Sequence, residues 1–411
     1  MNLPFLLRAR SRGRLRAVIA LTLLALVLPS AASDVELVRE KLASGSAAGL
    51  LFLSQEDRAV AFANIKELVP TRTVRKSSAP LALEPAPLNF DALRYEVEGE
   101  TFSLEDFTQL NGHRGLLVLE GQRIRLERYG PGHDADTRWI SFSVTKSITS
   151  LLIGAALKDG YLTSLDEPVA HYLPRFRGTP YEDVTIRHVL QMASGVAWNE
   201  DYADPKSDVA QAGGANGLAL VRYLATLPRA AEPGASFNYN TGETNLAGEI
   251  LRAALGNNAS TYLEHKIWQP FGMADDAYWV LGGPGGGETG GCCLNATLRD
   301  YGRLGLFALN GGRRPDGQDE AQGTVLPDRW MEDSTTPSPA APFYGYLWWL
   351  YPNGTFAAQG IFRQQIFVDP AHDLVIAAHS NAPTATGGAY SKHLAALTQA
   401  LRQAVIEQQE P

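Results

Sequence analysis

The run Val144–Lys158 is apolar at nearly every position around a helical wheel. A helix without a polar face is stable only when other elements cover it on all sides. The run therefore predicts a buried helix at the centre of the fold. A chain of 411 residues is long enough to form the hydrophobic core that such a helix requires.

Ser143 and Lys146 stand at the start of this run. Residues three apart share one face of a helix, so the two side chains are expected to lie side by side. A lysine amine can take the proton of a neighbouring serine hydroxyl and so create a nucleophile. No other lysine of the chain has a serine three positions before it. The alternative is an ordinary helix start with a surface lysine, which the apolar neighbours of Lys146 disfavour.

Two further positions suit hydrolytic chemistry. Tyr239 lies in a polar stretch just before a predicted helix, where a phenol could relay a proton between a nucleophile and a leaving group. Gly360 follows a predicted strand, where a glycine allows close approach of a substrate and the next amide N–H, that of Ile361, could stabilise an oxyanion. Each residue taken alone could equally be structural, Tyr239 as a half-buried aromatic side chain and Gly360 as a turn.

The order of elements predicts an α/β fold of the α+β type. Two strands are expected at 114–120 and 122–129, and further strands at 344–351, 355–359, 363–368 and 374–379, with helices between and after them. We expect one antiparallel sheet built from both ends of the chain and flanked by helices. A helical lobe at about 160–290 is inserted, and the active-site cleft is expected between lobe and sheet.

The N-terminal region is expected to have two parts outside the main domain. Residues 1–32 have five arginines, then a short apolar stretch and small residues ending at Ala32, which together predict a signal peptide and an exported protein, periplasmic or extracellular. Residues 33–89 are predicted to form an N-terminal extension and a proline-rich linker. The main domain is predicted at 90–411. No segment is apolar for long enough to predict a membrane span.

Composition excludes several functions. The formal net charge of −8 becomes more negative when the arginine-rich start is removed, so nucleic acid is not an expected partner. The eight histidines show no metal-binding spacing, and we expect no metal and no organic cofactor. Cys292 and Cys293 are adjacent, and because neighbouring cysteines rarely pair, we expect two small buried residues, with a redox-active pair as the alternative.

Taken together, these motifs resemble the serine β-lactamase and penicillin-binding protein superfamily. The resemblance is strongest to class C-like serine hydrolases, in particular the 6-aminohexanoate-dimer (nylon oligomer) hydrolases. It implies a β-lactamase/transpeptidase-like fold. The segments that carry it are 141–147, 185–192, 239–245, 296–301 and 344–349.

The resemblance also implies roles for individual residues. Ser143 would be the nucleophile, Lys146 its base and Tyr239 the proton shuttle, and the amides of Ser143 and Ile361 would form the oxyanion hole. The remaining matched positions would contact substrate, and these are Glu200, Tyr202, Gln359 and Gly360.

The sequence departs from the superfamily in two places. It has Tyr239-Asn240-Thr241 where β-lactamases have Tyr-x-Asn, and Ala358-Gln359-Gly360 where they have Lys-Thr-Gly. The missing lysine would hold the carboxylate of a β-lactam, and Arg363 is the nearest basic residue. We therefore expect a secreted hydrolase that cleaves an amide or ester bond of a small molecule through an acyl-enzyme. The alternatives are a carboxylesterase, a weak β-lactamase or DD-peptidase-like enzyme, and a non-catalytic binding protein of this fold. The sequence leaves the natural substrate and the oligomeric state open.

Overall fold

A computed structural model describes residues 31–44, 49–317 and 323–409, without the side chains of Ala31, Ala32 and Gln409. The predicted signal peptide lies almost entirely outside these residues. The strands within the described ranges are β1 Thr71–Val74, β2 Glu84–Pro85, β3 Arg94–Val97, β4 Glu100–Ser103, β5 His113–Glu120, β6 Arg123–Tyr129, β7 Trp139–Ile140, β8 Ala277–Val280, β9 Leu294–Ala296, β10 Trp349–Leu350, β11 Phe356–Gln359, β12 Gln365–Asp369 and β13 Leu374–Ser380.

Helices occupy the centre and both ends of the described chain. The α-helices are α1 Ala31–Ala43, α2 Gln55–Ala63, α3 Ile65–Leu68, α4 Leu104–Thr108, α5 Val144–Lys158, α6 Val169–Tyr172, α7 Ile186–Leu190, α8 Asp208–Ala212, α9 Gly217–Leu224, α10 Thr241–Leu255, α11 Ala259–Leu263, α12 Gln269–Phe271, α13 Leu298–Leu309, α14 Trp330–Ser334 and α15 Gly388–Gln409.

The main sheet confirms the predicted mixed architecture. Its seven strands run in the order β10-β11-β12-β13-β5-β6-β2, and each pairing is antiparallel except that of β2 with β6. Strand β5, from the first third of the chain, pairs with β13 near its end, with Val118 opposite Ile376. The sheet is therefore assembled from both ends of the chain, as the sequence predicted.

Alternate residues of the sheet face two different layers, as the pleat of a strand requires. Leu117 and Val375 face the layer that contains α5, α13 and the helical lobe. Val118 and Ile376 face the opposite layer, which α15 covers together with N-terminal helices. Helix α5 is buried over almost its whole length, as its apolar sequence predicted.

Several local predictions were wrong. The strand expected at 344–351 is reduced to Trp349–Leu350, because Leu347 has a positive φ of 62° that interrupts extended backbone. The sequence analysis also missed a second, four-stranded antiparallel sheet, ordered β1-β8-β9-β7. Its strands are two to four residues long, too short for an alternating pattern to reveal them.

The segment expected to form an N-terminal extension packs against the rest of the chain. Strand β1 pairs with β8 in the second sheet, and β2 pairs with β6 at the edge of the main sheet. From α2, Phe62 contacts the ring of Phe142 with centroids 5.0 Å apart. Residues before Phe90 therefore contribute to the core beside the start of α5.

Candidate active site

The backbone before Ser143 is held in an uncommon conformation. Phe142 has a φ of 43°, in the left-handed region that a bulky residue rarely adopts. Its ring packs between Phe62 and Phe362, with centroids 5.0 and 5.4 Å away. This packing stabilises the turn that places Ser143 at the N-terminal end of α5, on the wall of a cavity of about 320 Å³.

Gly360 brings a second chain segment against this turn. A Cβ at Gly360 would lie 2.5 Å from the carbonyl oxygen of Ser141, so only glycine permits the approach. The next residue, Ile361, consequently lies beside Ser143, and both line the cavity. Within the described ranges, neither of their amide N–H groups has a hydrogen-bond acceptor. Two free N–H groups on one cavity wall are the arrangement that an oxyanion hole requires.

Lys146 is fully buried one helical turn after Ser143. Its Nζ donates hydrogen bonds to Thr241 Oγ1 and to the carbonyl oxygen of Gly291, both at 2.9 Å. Burial lowers the pKa of Lys146 to about 8, and the negative charge of Glu200 partly opposes this shift. The amine is therefore far easier to deprotonate than that of an exposed lysine.

The glycine-rich loop supplies one of these acceptors. Gly291 approaches α10 so closely that a Cβ there would lie 2.9 Å from Asn245 Oδ1 and 3.1 Å from Lys146 Nζ. Its N–H donates to the same Asn245 oxygen at 2.8 Å. The loop therefore closes over the lysine and separates it from solvent.

Tyr239 lies immediately before α10, close to Ser143 and Lys146. Tyr239 and Ser143 line the same cavity, and Lys146 Nζ lies 5.3 Å from the centre of the Tyr239 ring. Burial and the nearby Glu200 carboxylate raise the pKa of the Tyr239 phenol. The phenol is therefore protonated at neutral pH, and Trp349 stacks on its ring with centroids 5.7 Å apart.

Glu200 connects the cavity to the lysine through Thr241. The Glu200 carboxylate accepts hydrogen bonds from the N–H and Oγ1 of Thr241, from the Tyr202 hydroxyl and from Trp198 Nε1. Thr241 is a residue that the sequence analysis missed. The signal was present, because Thr241 stands two positions after Tyr239, where β-lactamases have the asparagine of Tyr-x-Asn.

The remaining predicted site residues line the same cavity. Glu200, Tyr202, Gln359 and Gly360 are all part of its wall, together with Ser143, Tyr239 and Ile361. The structure therefore brings together every residue that the sequence analysis selected, except Lys146, which lies directly behind the wall. Their individual functions remain predictions.

Arg363 also lines this cavity. Its φ is 73°, and its Nε is buried without a hydrogen-bond partner in the described part of the chain. Burial lowers the pKa of the guanidinium, although the nearby Tyr351 opposes the shift. The basic residue that the sequence analysis named as nearest to the missing lysine therefore lies in the wall of the cavity.

For the two cysteines, the structure favours the alternative of a bonded pair over two separate buried residues. Cys292 and Cys293 form a disulfide between adjacent residues. Cys293 has a positive φ of 85°, which interrupts the alternation of extended backbone and turns the two side chains toward the same side. The pair lies directly after Gly291, close to Lys146.

The described residues contain neither a candidate membrane span nor a candidate metal site. In residues 31–44, 49–317 and 323–409, no helix combines the length and the hydrophobicity needed to cross a bilayer. The same residues contain no cluster of three or more His, Cys, Asp or Glu side chains that could hold a metal ion.

Comparison with known proteins identifies the family. Residues 107–400 match the family model described as Beta-lactamase, and this range includes every predicted site residue. The chain belongs to the beta-lactamase family. It is a hydrolase of the serine type, as the sequence predicted.

Particular relatives agree with this assignment. Over 341 residues, covering 79% of this chain and 85% of the relative, the chain is 29% identical to the 6-aminohexanoate-dimer hydrolase of Paenarthrobacter ureafaciens. A Bacillus anthracis structure provisionally named a 6-aminohexanoate-dimer hydrolase superposes with a TM-score of 0.71 at 20% identity, covering 85% of this chain and 94% of that one. A family VIII carboxylesterase superposes with a TM-score of 0.55 at 17% identity, covering 72% and 96%.

Proposed function

We propose that this protein is an exported, class C-like serine hydrolase that cleaves amide or ester bonds of small molecules through an acyl-enzyme on Ser143. One observation carries the proposal. Lys146, a lysine whose pKa is lowered to about 8, lies one helical turn from a serine that shares a cavity wall with a protonated tyrosine. A purely structural lysine would gain nothing from such burial, which disfavours its charge.

In the first half of the reaction, Ser143 Oγ attacks the carbonyl carbon of the substrate and its proton passes to Lys146. The carbonyl oxygen becomes negative and is held by the amide N–H groups of Ser143 and Ile361. Tyr239 gives its proton to the departing nitrogen or oxygen and is reprotonated from Lys146. The bond to the leaving group breaks as its electron pair takes up that proton.

In the second half, a water molecule replaces the leaving group. Tyr239 takes a proton from the water as it passes its own proton to Lys146, the oxygen of the water attacks the acyl carbon, and the same two N–H groups hold the oxyanion. The Ser143 oxygen then recovers its proton as the acid product departs. The same proton-transfer groups thus serve both halves of the reaction, in opposite directions.

A fluorophosphonate probe followed by intact mass measurement tests the nucleophile. We expect a single adduct on the wild-type protein and none on Ser143→Ala, and we expect turnover of short esters and linear amides, including the 6-aminohexanoate dimer, to disappear in this variant. Ser147→Ala is a matched control on the same helix. Substantial activity in a folded Ser143→Ala protein would contradict the proposal.

The position of Arg363 supports a second candidate function. The sequence analysis expected β-lactams to be poor substrates because Ala358-Gln359-Gly360 lacks a lysine. A guanidinium in the cavity could instead hold a substrate carboxylate. The second candidate is therefore hydrolysis of carboxylate-bearing substrates, β-lactams among them.

A matched substrate panel distinguishes the two candidates. Esters and amides with and without a carboxylate would be compared with penicillins in the wild type and in Arg363→Gln. A selective loss of kcat/KM for the carboxylate-bearing substrates in Arg363→Gln would support the second candidate. Equal kcat/KM values across each matched pair would favour the general hydrolase.

A further inference from the structure

Ser143 lies between two cavities. Beside the active-site cavity of about 320 Å³ is a second cavity of about 290 Å³. Ser143, Tyr202 and Ile361 line both. An acyl-enzyme reaction needs two such spaces, because the nucleophile attacks a carbon that carries an acyl chain on one side and a leaving group on the other.

The two cavities differ in chemistry. Glu200, Tyr239 and Arg363 line only the active-site cavity. Within the described part of the chain, no residue that lines the second cavity carries a charged side chain. Its wall is formed mainly by apolar and small residues, namely Gly49, Leu50, Leu51, Phe142, Val209, Ala210, Gly213, Gly214, Val280, Gly291, Cys292 and Cys293, with Thr241 and Thr289.

We propose that the second cavity binds the apolar acyl chain of the substrate. This inference rests on the proposed function, in which Tyr239 gives its proton to the leaving group. The leaving atom must then lie within hydrogen-bond reach of Tyr239, which lines only the active-site cavity. The acyl chain extends to the opposite side of Ser143, into the second cavity. The preferred substrates are therefore esters or amides of medium-length aliphatic acids.

Part of this wall lies outside the range of the chain that matches the family model. Leu50 and Leu51 lie outside the range 107–400 that matches the family model. Both are partly buried and pack against the core cluster that contains Phe142. The N-terminal segment therefore extends the binding site beyond the family domain and contributes to the acyl preference.

Two series of esters test which part of the substrate, the acyl chain or the leaving group, occupies the second cavity. In the first, the leaving group is p-nitrophenol and the straight acyl chain grows from acetyl to decanoyl. In the second, the acid is acetic acid and the alcohol grows by the same steps. We expect kcat/KM to rise about fourfold per methylene in the first series until the cavity is filled. We expect a much smaller rise in the second.

Variants of the cavity wall provide the matched test. Ala210→Phe fills the second cavity from α8, and we expect the ratio of kcat/KM for decanoyl over acetyl esters to fall at least about tenfold. Leu51→Asp places a charge beside the chain and should lower the same ratio. Ala253→Phe, an exposed helical position away from both cavities, is the control and should leave the ratio unchanged.

Each outcome has a distinct meaning. A steep dependence on the alcohol rather than on the acyl chain would overturn the inference, and so would acyl preference that Ala210→Phe and Leu51→Asp leave intact. A flat acyl series in an enzyme that reacts with the fluorophosphonate would overturn this inference alone. A folded protein without labelling or turnover would overturn the proposed function itself.

Discussion

The protonation of Lys146 is determined by two opposing effects at its amine. Burial disfavours the ammonium, and the Glu200 carboxylate favours it. The first effect is larger, so the pKa is lowered to about 8. Thr241 lies between the two groups, since its Oγ1 accepts from Lys146 and donates to Glu200. The pKa of the base Lys146 thus depends on Glu200, which lies on a different segment of the chain.

We predict that kcat/KM rises with pH to a plateau, with an apparent pKa near 8, because only the neutral amine of Lys146 accepts a proton. Glu200→Gln should move this rise to lower pH. The substitution removes the charge that favours the ammonium and keeps an oxygen for Thr241. Rates measured across a pH series for both proteins provide the test. An unchanged rise, or one displaced to higher pH, would show that Glu200 does not act on Lys146.

We predict that Tyr239→Phe loses most of kcat and of kcat/KM together, because only the hydroxyl is removed. The ring keeps its stacking on Trp349, so the free energy of unfolding should fall by only about 1 kcal/mol, the contribution of one hydrogen bond. Steady-state kinetics and thermal unfolding measure the two effects. A raised KM with an unchanged kcat would instead identify Tyr239 as a substrate-packing residue.

Helix α10 begins at the site residue Thr241, two residues after Tyr239. Asn240 caps its N-terminus by accepting a hydrogen bond from the N–H of Glu243 at 2.9 Å. The Glu243 side chain is buried and accepts hydrogen bonds from Tyr181, Ser194 and Asn240. Burial raises the pKa of Glu243 to about 8. The helix that positions Thr241 therefore contains a carboxyl group that is neutral at neutral pH.

We predict that Glu243 lowers the stability of the protein as the pH rises. Its pKa is 4.5 unfolded and about 8 folded, so the stabilisation is complete below pH 4.5 and is lost by about pH 8. Glu243→Gln cannot ionise. The free energy of unfolding of this variant, compared with that of the wild type, should therefore increase between low pH and pH 8. Denaturant unfolding of both proteins at the two pH values is the measurement. Parallel pH dependences would mean that Glu243 is already ionised in the folded protein.

At the scale of the whole molecule, the disulfide between Cys292 and Cys293 is consistent with the predicted export of the protein. Disulfides persist in oxidising compartments and are rare in the cytosol. A bond between adjacent residues encloses almost no chain, so it restricts the unfolded state very little. The Cys292–Cys293 pair therefore contributes to the local wall of the second cavity rather than to global stability.

We predict that the protein isolated from an oxidising compartment resists thiol alkylation until it is reduced, and then takes up two alkyl groups. Reduction should change the unfolding temperature only slightly, because the enclosed loop is so short. Intact mass spectrometry and thermal unfolding before and after reduction are the measurements. Alkylation of the unreduced, unfolded protein would show that the pair is not bonded.

Patterns that repeat over a few residues were readable in the sequence. The bounds of α5 agree with the predicted run Val144–Lys158, because the run is apolar over almost its whole length. The strands β5, β6 and β11–β13 were recognised from aromatic and β-branched residues. Strands of two or three residues, such as β7 and β9, contain too little pattern to detect.

The sequence by itself determined the buried helix, the pairing of Ser143 with Lys146 and the family, because each depends on residues close together in the chain or on their order. The tertiary structure decided what surrounds the lysine. Its two acceptors lie 95 and 145 residues away, and only folding brings them within 2.9 Å. Folding likewise brings Arg363 to the active-site cavity, and Leu50 and Leu51 to the second cavity. Local periodicity carries no information on such distant contacts, and they determine the pKa of the base and the shape of the site.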